Sequence, residues 1–345
     1  MVQHHSPPFC LPATDIELVL AAGGINGFRH LGVIEELEAQ AIPLGTVTGV
    51  SVGAIVAAFY TNGYTPDQIS AIFLQALEDN KDPISVIIHR SRQLEQTLRK
   101  IGNESLAQDP VAFLQGGWLN SLLQAQDAIR QALQAGTDIA SFLRSLSVPD
   151  PISFAIGGCV DLLPLMREMV QRFGLRPRAN LRIVGADLFK QTLVGFEGED
   201  YDLAHKLALA CALPKVFRPQ WDTSHGGLRL MGDGATVHYS PAEFCKGAAI
   251  FSTFRPSTEV PMGVDNWLYL FFSLSEIYCP LAGNHRYVDA ARHLVIETGD
   301  TDVAGLNFGI GPDRCRKMRS DARLVTRAAL QRAREEGRLA NLPGK

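Results

Sequence analysis

Gly49-Val50-Ser51-Val52-Gly53 sets a serine between two glycines, where the apolar run "LGTVTGV" gives way to the helix-like "GAIVAAFYTNGY". The pattern is G-x-S-x-G, which presents a serine hydroxyl on a tight strand-to-helix turn. Glycines at 49 and 53 let neighbouring backbone come close. A helix beginning at Val52 aims free N–H groups and its positive dipole end at the same point. Such a turn suits attack on a carbonyl carbon.

A serine hydroxyl is a poor nucleophile until a base takes its proton. Among the nine histidines, His30, His89, His205, His225, His238, His285 and His293 have no diagnostic context. One arrangement takes Ser51 with Asp187 or Asp233 and then His238 or His285, the order of a Ser-Asp-His hydrolase. The other uses Asp233 directly. It closes the apolar run "LRLM" between Gly232 and Gly234, and a partly desolvated carboxylate there binds protons more tightly than one in water. On the residues alone, both bases stay open.

A second glycine turn, "AAGGING", lies upstream and also follows an apolar run. Acyl transfer develops negative charge on a carbonyl oxygen, which fixed backbone donors stabilise. Gly23 and Gly24 could supply such donors to the carbonyl that Ser51 attacks. The rival reading is a nucleotide loop, but neither G-x-x-x-x-G-K-[ST] nor a clean G-x-G-x-x-G is present.

The elements that must carry these groups follow from periodicity. Residues 17–21 read as a strand, "GFRHLGVIEELEAQ" as a helix, "LGTVTGV" as a second strand and "GAIVAAFYTNGY" as a helix apolar enough to be buried. Thr65-Pro66-Asp67 opens another helix. Residues from about 80 to 171 read as a helical insertion over the sheet. "ANLRIVGADLFKQTLVGFEG" reads as two strands, "DLAHKLALACALPKVFRP" as a helix halted at Pro214, and "LRLMGDGATVHYSP" as a strand entering a tight turn. In the remainder "NWLYLFFSL" is the one strong strand candidate. Alternating strands and helices argue for an α/β fold with a mainly parallel sheet.

With 345 residues, 46% of them hydrophobic, the chain can bury a sizeable core, and a net charge of −4 offers no global basic field for nucleic acid. Six scattered cysteines lack metal-site spacing and read as free thiols of a reducing compartment. No secretory signal or bilayer-length apolar run is visible, so a cytoplasmic chain is expected. Its arginine-rich end, 313–345, reads either as a solvated helix or as one attracted to anionic lipid headgroups.

Three elements occur in order: the glycine turn at residues 22–27, "GVSVG", and "DGA" at 233–235. Together with "LRIVGADL" and "ALACALPKVFRP", they resemble the patatin-like phospholipase family, from about Glu17 to Pro241. The resemblance implies a three-layer α/β/α fold spanning residues 15–310, with 311–345 as a basic C-terminal helix or tail. It implies a Ser51–Asp233 dyad and an oxyanion loop at Gly23 and Gly24, with the Val52 N–H as a further donor and Gly49, Gly53 and Gly234 as motif glycines. Lipid acyl esters such as phospholipids are the implied substrates, with no metal or organic cofactor. Two residues depart from the family's G-G-G-x-R-G loop: Ala22 stands at the first glycine and Asn26 at the arginine. Arg29 either restores that charge or is a solvated helix residue. After the aspartate turn, where family members often carry Asn and then Pro, this chain has "HYSP"; Asn26 and His238 bear on efficiency and substrate preference, and a lipid- or partner-binding role with weak catalysis is the alternative.

Overall fold

Short apolar strands alternating with helices can bury both faces only by stacking helices on a sheet, and the chain does so. The computed structural model describes residues 10–78, 161–188, 190–213, 217–224, 226–254, 288–299 and 310–341. The strands are β1 (Ile16–Leu20), β2 (Leu44–Val50), β3 (Leu181–Asp187), β4 (Thr192–Phe196), β5 (Gln220–Asp222), β6 (Arg229–Asp233), β7 (Ile250–Phe254) and β8 (Leu294–Thr298). The helices are α1 (Gly27–Ala39), α2 (Val52–Thr61), α3 (Pro66–Glu78), α4 (Leu163–Arg172), α5 (Leu203–Ala210) and α6 (Pro312–Glu335).

Pairing runs β5-β6-β3-β2-β1-β7-β8, with β4 joining β3. The strands β3, β2, β1, β7 and β8 are mutually parallel, whereas β4, β5 and β6 pair antiparallel. β3 is buried at all seven positions, as a strand covered on both faces must be. The helices pack through Leu31, Val56, Phe59, Leu207 and Leu330 into one core with Leu18, Leu20 and Ile183. The opposite face is covered by residues from two short 3-10 helices, Gly234–Thr236 and Ala242–Phe244. The architecture is therefore α/β/α.

Local chemistry explains the element ends. Thr65 and Gln68 form a reciprocal capping box ahead of α3, with Gln68 N–H on Thr65 Oγ1 at 3.2 Å and Thr65 N–H on Gln68 Oε1 at 2.9 Å. Asp202 caps α5 by accepting from the His205 N–H at 3.1 Å. α5 ends at Ala210, ahead of the expected stop at Pro214, which lies outside the described residues. α2 is buried along most of its length, as its all-apolar sequence requires. Of the expected helical insertion, residues 79–160 lie outside the described residues, as does "NWLYLFFSL". β7 and β8, which periodicity did not single out, extend the sheet beyond β1.

Most of the arginines of α6 have partners. Arg327 grips Glu36 through two bonds of 2.9 Å, and Arg323 adds a third at 3.0 Å. Arg319 and Arg323 both hold Glu35, and Arg319 also reaches Asp67 on α3 at 2.6 Å. Hydrogen bonds from Arg327 outweigh the effect of burial and hold the Glu36 carboxyl down at about 2. The basic helix is thus clamped to α1 by charge and by its buried face of Cys315, Met318, Ala322 and Leu330. Glu36→Ala should destabilise the fold by about 3 kcal/mol, the low end for breaking a buried ion pair because the arginines can regain water. Urea titration of both proteins checks this. A change equal to that of Glu35→Ala would refute it.

Candidate active site

The strand pairings bring residues 51 and 233 together. Val184 pairs with Val50 of β2 on one edge and with Gly195 of β4 on the other. Gly185 pairs with Val194 of β4 and with Asp233 of β6. A strand has only two edges, so β2 and β6 share the edge of β3 opposite β4. β2 runs parallel to β3 and β6 antiparallel, so their C-terminal ends meet head-on between Val184 and Gly185. Ser51 leaves one end and Asp233 closes the other.

Ser51 adopts φ 54 and ψ −126, a left-handed conformation rare for a residue with a side chain. That strain is held by packing, since a Cβ on Gly49 would overlap the Gly53 carbonyl and one on Gly53 the Leu20 carbonyl. Gly234 packs against β2 and β3, where a Cβ would lie 2.9 Å from Val50 Cγ1 and 3.0 Å from the Val184 oxygen. The Ser51 hydroxyl lies beside the Asp233 carboxylate and favours its charged form. Asp233 is 2% exposed and also accepts from the Ala235 N–H at 2.8 Å. Burial pushes its carboxyl up to about 6, against the influence of Ser51 and the Ala235 N–H, which favour the charged form. A carboxylate so placed can take the hydroxyl proton with no imidazole between them.

The two glycine turns are neighbours because Leu20 of β1 pairs with Gly49 of β2. The first turn passes through Gly23, Gly24 with φ 53, and a short 3-10 helix, Gly24–Asn26, into α1. Gly27 lies against the Val52 side chain, where a Cβ would approach Cγ2 to 2.7 Å. Val52 is the first residue of α2, so its N–H has no intrahelical acceptor. Gly23, Gly24 and Val52 therefore stand on adjoining turns beside Ser51. The Ala22 N–H is committed to the Tyr239 carbonyl at 3.1 Å.

Arg29 is not a solvated helix residue. It is 4% exposed, donates from Nε to Asn26 Oδ1 at 3.2 Å and lies beneath Gly299. Of the other candidate bases, His238 accepts from the Ser240 N–H at 3.1 Å, Asp187 accepts from the Lys190 N–H at 3.0 Å, and His285 lies outside the described residues. One residue at the site escaped sequence reasoning. The buried Cys211 thiol donates to the Ser51 carbonyl at 3.3 Å, and desolvation, then the Asp233 charge, push it far up. Cys10, Cys211, Cys245 and Cys315 are free thiols. Among the described residues, no helix is long and apolar enough to cross a membrane, and no cluster of His, Cys, Asp or Glu has the form of a metal site.

The fold and these two turns define an α/β protein of the strand–serine–helix type. A family model described as patatin-like phospholipase matches residues 18–245, so the chain belongs to the patatin-like phospholipase family, a family of lipid hydrolases. Over 235 residues it is 22% identical to the uncharacterized protein YqhO of Bacillus subtilis, covering 66% of this chain and 65% of that one. Over 49 residues it is 45% identical to lysophospholipase NTE1 of Saccharomyces cerevisiae, 14% of this chain and 3% of that enzyme. It matches the cUMP-AMP-activated phospholipase of Escherichia coli at 44% over 63 residues, 17% of this chain and 20% of that one. The chain thus spans less than two thirds of these relatives. Among solved structures, VipD of Legionella pneumophila aligns with 96% of this chain and 72% of its own, at 15% identity and a TM-score of 0.47.

Proposed function

We propose that the chain hydrolyses carboxylic esters of lipids through a Ser51–Asp233 dyad and an acyl-enzyme. Ser51 Oγ attacks the ester carbonyl while Asp233 takes its proton. The N–H groups of Gly23, Gly24 and Val52 receive the developing oxyanion. Collapse expels the lipid alcohol, which takes the proton from Asp233, and leaves the acyl group on Ser51. Water then attacks, again giving its proton to Asp233, and the proton returns to Ser51 Oγ as the fatty acid leaves. The observation that carries this reading is the head-on meeting of β2 and β6, which sets a strained, left-handed Ser51 beside a buried carboxylate. Family membership supports lipid esters as the substrate class.

A fluorophosphonate probe should form an adduct on the peptide containing residue 51, and the native chain should release fatty acid from phospholipid or lysophospholipid. An adduct on another residue, or none on folded protein, would sink the dyad. The acid limb of kcat/KM follows from Asp233. Its carboxyl, raised from 3.8 to about 6, is a base only above that point. Activity should therefore rise about tenfold per pH unit below pH 6 and level off above it. A limb near pH 4 would place the base elsewhere.

A further inference from the structure

His30 is fully buried one turn into α1, with both ring nitrogens engaged. Nε2 lies 2.8 Å from the Ala21 carbonyl, which can only accept, so Nε2 carries the proton. Burial holds the ring neutral by lowering its pKa to about 4. Nδ1 is then a lone pair and accepts from Ser252 Oγ of β7 at 2.7 Å. Ala21 is the last residue before the glycine turn, and its N–H is bound to the Ser252 carbonyl at 3.1 Å. The His30 ring also stacks on Phe254, centroids 4.8 Å apart, and that phenyl ring lies so close to Gly23 that a Cβ there would overlap it.

These contacts close a loop. The chain leaves β1 at Ala21, makes the glycine turn, enters α1, and at His30 reaches back to the carbonyl it left. We propose that His30 is a positioning residue of the glycine turn: with Ser252 and Phe254 it fixes the Ala21–Gly23 backbone so that the following amides meet an oxyanion. The inference rests on the hydrolase reading above. It also gives β7, which lies beyond residues 18–245, a part in the site. His293 is the contrasting case. It meets Phe251 edge to face, centroids 5.0 Å apart, and accepts from the Ala249 N–H at 3.3 Å, but at the opposite end of β7, away from either glycine turn.

The test is a set of variants read by kcat, KM and the rate of fluorophosphonate labelling. His30→Phe keeps the shape and removes both hydrogen bonds. It should lower kcat and labelling rate about 30-fold, with KM within about twofold, less than losing an oxyanion donor outright. His30→Gln restores a donor to Ala21 and should recover to within about fivefold of native. Ser252→Ala should lower kcat about fivefold in the native background and leave His30→Phe unchanged, as members of one chain of contacts do. His293→Phe should leave kcat within about twofold. A folded His30→Phe that turns over at the native rate overturns the inference alone. Native chain unlabelled at Ser51 removes the hydrolase reading and this inference together. Should His30→Phe not fold, native kcat in Ser252→Ala or no recovery in His30→Gln overturns it.

Discussion

Asp233→Asn should lower kcat/KM by about 10⁴-fold while making the folded chain more stable by about 3 kcal/mol at pH 8. The loss follows because an amide cannot accept the serine proton. The gain has its own sign. The carboxyl is raised from 3.8 to about 6 in the folded chain, so ionising it there works against folding at any pH above 6. Asparagine has the same shape and can still accept from the Ala235 N–H without a charge. The difference in stability should shrink as pH falls from 6 to 3.8 and vanish below, where folded and unfolded carboxyls are both protonated. Ser51→Ala should match the activity loss but not the gain, because it removes a donor from a carboxylate that stays buried and charged. Thermal melts of the three proteins at pH 8 and pH 4, beside their rates, decide the matter. An Asp233→Asn protein that is active, or less stable than native at pH 8, contradicts the proposed base.

The second large effect is expected at Gly53. A Cβ there would overlap the main-chain carbonyl of Leu20 in β1 and approach that of Ala21 to 2.9 Å. Backbone in a paired central strand cannot rotate aside as a side chain would. Gly53→Ala should therefore destabilise the fold by about 3 kcal/mol or more and remove activity by shifting Ser51. Gly247→Ala, with open space around it, should stay within about 0.5 kcal/mol of native. Guanidinium unfolding of both variants checks the contrast. Equal midpoints would show that β1 and α2 are not in such close contact.

The first part of the fold was legible because its signals agree. Apolar runs ending in glycine turns and followed by helical spacing placed β1, α1, β2 and α2 to within a residue or two. β7 was missed for a physical reason. "IFSTF" carries Ser252 and Thr253 inside a buried parallel strand, where their hydroxyls bond to His30 and Ser240, and such polar positions erase the apolar run. The three residues of β5 are too few to show a period. Ser51 and Asp233 were each visible as turn residues, but the contact between strands that joins them leaves no local trace. Arginines in α6 could be counted but not paired, because Glu35, Glu36 and Asp67 lie on elements far away in sequence. Arg29 failed similarly, its burial being set by the loop at Gly299.

The meeting of β2 and β6 end to end makes β3 a ruler. One residue inserted between Leu230 and Asp233 would advance that strand by about 3.4 Å and turn its side chains to the other face. Hydroxyl and carboxylate would then miss each other even with every residue type intact. Length changes in this protein should be tolerated in the hairpin between β5 and β6, which points away from the junction, and rejected in the few residues on either side of it.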